Sequence, residues 1–244
     1  MRTLVVLPTY QEAANVTDIL GRIRAALPAA DVLVVDDGSP DGTADLAEAA
    51  GRELGSVEVM RRPGKAGLGP AYRAGFGRGL DRGYGALVQM DADLSHDPAA
   101  LPTLLRAIEG GADVVVGSRY VPGGSIPNWP VHRRALSRWG NRYAGAALGL
   151  PVRDATSGYR AYRAEAMGDV DLDAVRATGY GFQIELAYRL ARKGRRVVEV
   201  PISFTDRVKG TSKMSGRIVA EALLLVTWWA LRDRVLRRRH AGPG

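Results

Sequence analysis

Cysteine is absent from the 244 residues. That excludes disulfides, thiolate-ligated zinc and thiol nucleophiles. Histidine is almost as scarce. His96, His132 and His240 are scattered along the chain, and none stands at the spacing of a zinc-binding helix. The N-terminal apolar run stops at Pro8, too short for the core of an export signal, so residues 4–7 read as a strand and the protein is expected to stay in the cytoplasm. Acidic residues are the minority sign, 26 against 34 Lys and Arg, which leaves a formal charge of +8. An anionic partner is implied: nucleic acid, a phosphorylated ligand or anionic lipid. A GC-rich genome explains an arginine excess equally well, so charge alone does not choose. The length suffices for one large domain with a real core.

Over the first 120 residues, short apolar runs alternate with helical spacing. Residues 4–7, 32–35, 57–60, 86–90 and 114–117 read as strands, and 12–27, 44–54, 70–82 and 98–109 as helices. Asp41 or Thr43 is placed to cap the second helix. Unbroken β-rich runs separated by amphipathic helices indicate a mainly parallel sheet covered on both faces, a doubly wound α/β domain. Ligands of such a sheet bind at the carboxyl ends of its strands. Beyond a Pro/Gly-rich loop at 121–130, a helix is expected at 133–148, a strand at 158–163, a helix at 182–193 and a strand at 197–200. A polar loop at 203–215 precedes a long C-terminal helix. The expected organisation is a catalytic domain over 1–215 and an appendage over 216–244.

Asp91-Ala92-Asp93 directly follows the run at 86–90. Two carboxylates one residue apart at a strand end can face one hard cation such as Mg²⁺ or Mn²⁺, which also bridges phosphate oxygens. Alone, the pair is as readily an ordinary acidic turn. Asp36-Asp37-Gly38-Ser39 ends the second strand and Pro8-Thr9-Tyr10-Gln11-Glu12 the first, so three polar clusters share one rim. Asp36 and Asp37 would repel each other unless a cation or hydrogen-bond donors meet them.

These residues resemble family 2 glycosyltransferases, and more narrowly the polyprenyl- or dolichyl-phosphate mannose synthases. The resemblance runs in order through Asp36-Asp37-Gly38-Ser39-Pro40-Asp41-Gly42-Thr43, Met90-Asp91-Ala92-Asp93-Leu94-Ser95-His96 and Gly117-Ser118-Arg119-Tyr120. It continues through Asp154-Ala155-Thr156-Ser157-Gly158-Tyr159-Arg160, Gly181-Phe182-Gln183-Ile184-Glu185, Glu199-Val200-Pro201-Ile202 and the segment from Asp206 to Lys213. It implies a GT-A fold, Rossmann-like and doubly wound, and inverting transfer of mannose from GDP-mannose to a polyprenyl monophosphate. It also implies that Pro8, Tyr10, Glu12, Val35, Asp37 and Ala92 hold the donor nucleotide. Asp91 and Asp93, with Ser95 near the third protein position, would bind the metal. Arg207 and Lys213 would close over the diphosphate. Gln11 departs from the asparagine usual after Pro-Thr-Tyr.

On the acceptor side, the resemblance matches Arg119, Arg133 and Ser137 to lipid-phosphate ligands. Arg133 and Ser137 are four apart and share one helix face, and a guanidinium fork beside a hydroxyl suits a phosphate. Neighbouring Arg134 and Arg138 fit a solvated basic face. A phosphate monoester is anionic near neutrality, with a second pKa of about 6, so no catalytic base is required. Asp154 and Glu185 are candidates for orienting sugar hydroxyls, with structural roles equally open.

Residues 218–231 are apolar apart from Glu221 and Thr227, and Trp228-Trp229 precedes an arginine-rich end. A spanning helix needs about 20 apolar residues. An amphipathic helix lying on an anionic leaflet fits better, and so does a core helix with a basic tail. The expected location is the cytoplasmic face of a membrane, with an integral membrane protein as a candidate partner. Rival readings are a UDP-glucose donor on the same fold, a nucleotidyltransferase and a basic nucleic-acid-binding module. The first strand lacks the Gly-rich phosphate loop of the second. The third leaves the rim carboxylates unexplained, since they repel phosphates without a metal, so no nucleic-acid partner is expected.

Overall fold

The computed structural model describes residues 1–177, 179–206 and 216–240, with side chains in the last helix described over 220–233. Among the described residues, seven strands form one sheet: β1 (Thr3–Thr9), β2 (Asp31–Asp36), β3 (Val57–Arg61), β4 (Ala86–Gln89), β5 (Val114–Ser118), β6 (Arg160–Arg163) and β7 (Val197–Pro201). Their order is β3-β2-β1-β4-β6-β5-β7. All run parallel except β6, which pairs antiparallel with both neighbours, Ala161 lying opposite Val88 and Val115.

Side chains alternate across this sheet as a strand's two-residue period demands. Leu4, Val6, Leu33 and Val35 enter one core. Val5, Leu7, Val32 and Val34 enter the other. Because helices cover both faces, the strands are apolar throughout, which is why they read as unbroken runs. The second core is closed by α1 (Val16–Ala26), α2 (Thr43–Leu54) and α4 (Leu101–Glu109). In α4, Leu101, Leu104, Leu105 and Ile108 make one buried stripe; each such side chain contributes about 1.5–3 kcal/mol.

The first core is closed by α3 (Leu68–Asp81), α5 (Val131–Leu148), the short α6 (Ala164–Gly168), α7 (Gly179–Arg192) and α8 (Gly216–His240). Helix α3 lies unusually close to the sheet. A Cβ on Gly75 would collide with Val6, and one on Gly79 with Leu87. That approach brings Tyr72, one turn earlier, beneath the end of β4.

Two expected elements differ in detail. Helix α1 starts at Val16 rather than residue 12, because Asn15 N and Val16 N both donate to the Glu12 carbonyl in a tight turn. At α2, the residue before the helix is Gly42 in the left-handed region, with no side-chain cap; Asp41 instead braces Thr43.

Helix α8 joins the first core through Val226 and Trp229. Trp229 stacks on Tyr188 of α7 at 5.8 Å, and the Tyr188 hydroxyl donates to Asp233 at 2.7 Å. Its outer side leaves Leu224, Trp228 and Leu231 exposed. No helix among the described residues is long and apolar enough to cross a membrane.

Candidate active site

The parallel register brings the polar clusters together: Thr9 of β1 lies opposite Asp36 of β2. The Thr9 hydroxyl donates to Asp36 at 2.9 Å, and Ser39 donates to the same carboxylate through both its amide and its hydroxyl. Asp36 therefore braces the turn. Asp37 braces a second loop. Arg62 pairs with one carboxylate oxygen, while the amides of Ala66 and Gly67 donate to the other at 3.1 Å each. These partners resolve the repulsion expected of adjacent carboxylates. Lys65, carried on that loop, lies 4.4 Å from the centre of the Tyr10 ring. Glu12 accepts from Asn15 at 2.9 Å and sets the start of α1. Pro8 pairs with Val35 across the strands. Val35 and Ala92 are buried in the two cores, so any nucleotide contact from either is made by its backbone.

At the end of β4, Asp91 and Asp93 are each held by a neighbouring hydroxyl. Tyr72 donates to Asp91 Oδ1 at 3.1 Å. Burial, then the charge of Asp91, pushes the Tyr72 hydroxyl well above its ordinary pKa, which keeps it a donor. Ser95 donates to Asp93 Oδ1 through its hydroxyl at 2.5 Å and its amide at 3.1 Å. The turn places Leu94 at φ 62, a left-handed conformation that costs energy in a non-glycine residue. His96 follows, buried and stacked on Tyr159 at 4.9 Å. Its Nδ1 accepts from the Asp91 amide at 3.3 Å. Burial lowers its pKa to about 4, so the ring is neutral at physiological pH.

The donor set suits Mg²⁺ or Mn²⁺. No group of three His, Cys, Asp or Glu side chains converges among the described residues. A closed protein cage, as for structural zinc, does not fit; one or two carboxylates completed by phosphate oxygens and water do. In this geometry the Ser95 hydroxyl orients Asp93.

Arg119, Arg133 and Ser137 line one cavity of about 80 Å³ between α5 and α8, together with Trp129, Leu136 and Leu223. Arg119 is buried and forks onto Asp154, with N–O distances of 2.7 and 2.6 Å. Burial opposes its charge, but Asp154 outweighs it and holds the guanidinium above its ordinary pKa. Arg133 lies 3.9 Å from the Trp129 ring centre and donates to Asp206 at 3.1 Å. Its Nε is buried with no hydrogen-bond partner among the described residues. Ser137 accepts from the Tyr120 hydroxyl at 2.7 Å.

The two sugar-side candidates have internal partners. Asp154 serves Arg119, and Glu185 accepts from the Ala177 amide at 3.0 Å and from Arg189 at 2.8 Å. Arg207 and Lys213 lie outside the described residues. No individual signal marks Tyr72, one aromatic within a helical period, or Arg62 and Asp206, whose partners are remote in the chain.

A doubly wound sheet with a carboxylate pair at the end of a central strand is the architecture of GT-A glycosyltransferases. Residues 4–170 match the model of glycosyl transferase family 2. Undecaprenyl-phosphate mannosyltransferase of Micrococcus luteus is 53% identical over 234 residues, covering 96% of each chain. Polyprenol monophosphomannose synthase of Mycolicibacterium smegmatis is 53% identical over 239 residues, 98% of this chain and 90% of that one. Among solved structures, glucosyl-3-phosphoglycerate synthase of Mycobacterium tuberculosis, in complex with Mn²⁺ and UDP-glucose, superposes with a TM-score of 0.67. It shares 21% identity over 94% of this chain and 78% of its own. The chain belongs to glycosyl transferase family 2.

Proposed function

We propose that the protein transfers mannose from GDP-mannose to a polyprenyl monophosphate, inverting the anomeric centre to give a β-mannosyl phosphate. The observation that carries this reading is the pairing of two sites. A carboxylate pair at the end of β4 suits a nucleotide diphosphate with its cation. The cavity between α5 and α8 has cationic residues on apolar walls, Arg119 and Arg133 beside Leu136 and Leu223, which suits a phosphate joined to a hydrocarbon chain. The mannosyltransferase names of two relatives at 53% identity support the sugar and the lipid.

In this mechanism Asp91 and Asp93 hold Mg²⁺ or Mn²⁺, which when bound neutralises charge on the diphosphate. Asp37 and Tyr10 flank the nucleoside end of the rim. Arg119 and Arg133 position the acceptor phosphate, whose oxygen is already anionic and needs no base. That oxygen attacks the anomeric carbon as its bond to the diphosphate breaks, and GDP leaves. Arg207 and Lys213 are assigned to charge neutralisation on the leaving diphosphate.

The protein acts peripherally on the cytoplasmic face of a membrane. Leu224, Trp228 and Leu231 of α8 and Leu136 and Trp139 of α5 are exposed, and apolar groups beside arginines suit an anionic leaflet. An integral membrane protein is a candidate partner there. An acceptor test separates this reading from a soluble-acceptor enzyme of the same fold. With GDP-mannose as donor, a short polyprenyl phosphate should be mannosylated and 3-phosphoglycerate should not. Arg133→Ala should raise the lipid KM about tenfold or more at unchanged donor KM. Equal transfer to both acceptors would overturn the lipid assignment.

A further inference from the structure

Gln183, near the start of α7, is 2% exposed. Its carbonyl accepts from Arg160 Nη1 at 2.8 Å, and the same guanidinium binds the carbonyls of Ser157 at 2.8 Å and Ala155 at 2.6 Å. One buried arginine thus fixes Gln183 against the 155–158 loop. The adjacent Phe182 stacks on Tyr72 at 5.9 Å, and Tyr72 holds Asp91. Gln183 and Asp91 are accordingly set by the same packed elements.

They converge on Gly158. A Cβ placed there would lie 3.5 Å from Asp91 Oδ2, 3.5 Å from Gln183 Nε2 and 3.6 Å from His96 Cε1. The Gln183 Oε1 is buried without a hydrogen-bond partner among the described residues. A buried amide oxygen left unpaired is costly and calls for a donor. The side chains that meet Gln183 at Gly158 do not serve that oxygen: Asp91 is itself an acceptor, and His96 Nδ1 accepts from the Asp91 amide.

We infer that Gln183 is a specificity-determining residue whose side-chain amide, with Nε2 at the Gly158 gap and Oε1 in need of a donor, hydrogen-bonds a hydroxyl of the transferred hexose. This rests on the proposed sugar transfer. The chemistry selects the hexose over the rest of the substrates. Ionised phosphate oxygens carry no proton and repel an amide oxygen, a prenyl chain offers no donor, and the nucleoside end lies by Asp37. Only the sugar, joined to the diphosphate that Asp91 faces, brings O–H donors to this point. Gly158 leaves room there, because any side chain would project between Asp91 and Gln183.

The test uses the full chain with Mg²⁺, titrating GDP and GDP-mannose calorimetrically and comparing GDP-mannose with GDP-glucose in single turnovers. Gln183→Leu should leave GDP affinity within about twofold. It should lower kcat/KM for GDP-mannose about tenfold, the scale of one lost polar contact, and narrow discrimination between the two sugars. Gly158→Ala provides the second variant. Its methyl meets protein atoms only at ordinary contact distances, so the fold is retained while the sugar space shrinks, and the same donor-specific loss is expected. Wild-type discrimination in both variants would overturn this inference alone, as would a loss shared equally by GDP, which marks a merely structural or water-filled site. A wild-type protein that transfers no hexose would overturn the transfer reading and this inference with it.

Discussion

Tyr72 reaches from α3 to the end of β4 and donates to Asp91 Oδ1 at 3.1 Å. The ring that carries this hydroxyl is fully buried and stacked between Phe76 at 5.6 Å and Phe182 at 5.9 Å. A side chain so confined fixes the carboxylate with little freedom, the requirement for a preorganised site.

Tyr72→Phe removes the hydroxyl and keeps the stack. We expect single-turnover transfer to fall about fivefold to tenfold, the scale of one hydrogen bond, and the Mg²⁺ concentration giving half-maximal rate to rise. Thermal unfolding should shift by only a few degrees. A Phe variant with wild-type metal dependence would show that Tyr72 serves packing alone.

Asp154 is fully buried against Arg119. Asp154→Ala leaves a buried cation without its partner, which costs about 3–5 kcal/mol. Urea unfolding should show a loss of that size. Were Asp154 a sugar ligand without structural weight, stability would be unchanged and only the hexose KM would move.

Trp228 and Trp229 are neighbours with opposite fates: one is exposed, the other buried against Tyr188. Trp229→Ala should cost about 3–5 kcal/mol of stability. Trp228→Ala should stay within about 0.5 kcal/mol yet reduce co-sedimentation with anionic vesicles at low salt. If Trp228→Ala pelleted like the wild type, α8 would not be the docking surface.

Arg62 ties Asp37 to the loop that carries Lys65. Arg62→Ala should release that loop, raising the Kd for GDP about tenfold while acceptor KM stays constant. Calorimetric titration of GDP checks this, and an unchanged Kd would remove Asp37 and its loop from the nucleotide site.

The sequence is most informative where local pattern and tertiary role coincide. Apolar runs ending in Asp36-Asp37 and Asp91-Ala92-Asp93 reveal both the parallel strands and the rim, because a parallel strand's carboxyl end faces the ligand side. The direction of β6 is not legible: the two-residue alternation at 160–163 is the same whichever way a strand runs. Partnership across the chain is equally hidden. Asp154 lies 35 residues from Arg119, and a carboxylate that neutralises a buried arginine looks, in sequence, like one that grips a sugar. Helix α8 combines two readings of one segment, since Val226 and Trp229 face the core while Leu224 and Trp228 face outward.

The most direct test is single-turnover transfer to a short polyprenyl phosphate with Mg²⁺ or Mn²⁺, offering GDP-mannose, GDP-glucose and UDP-glucose side by side. Mannosyl lipid should form from GDP-mannose in preference to either glucose donor, and it should be lost on chelation and in Asp93→Ala. Preferential transfer from UDP-glucose, or transfer that survives both chelation and Asp93→Ala, would contradict the account.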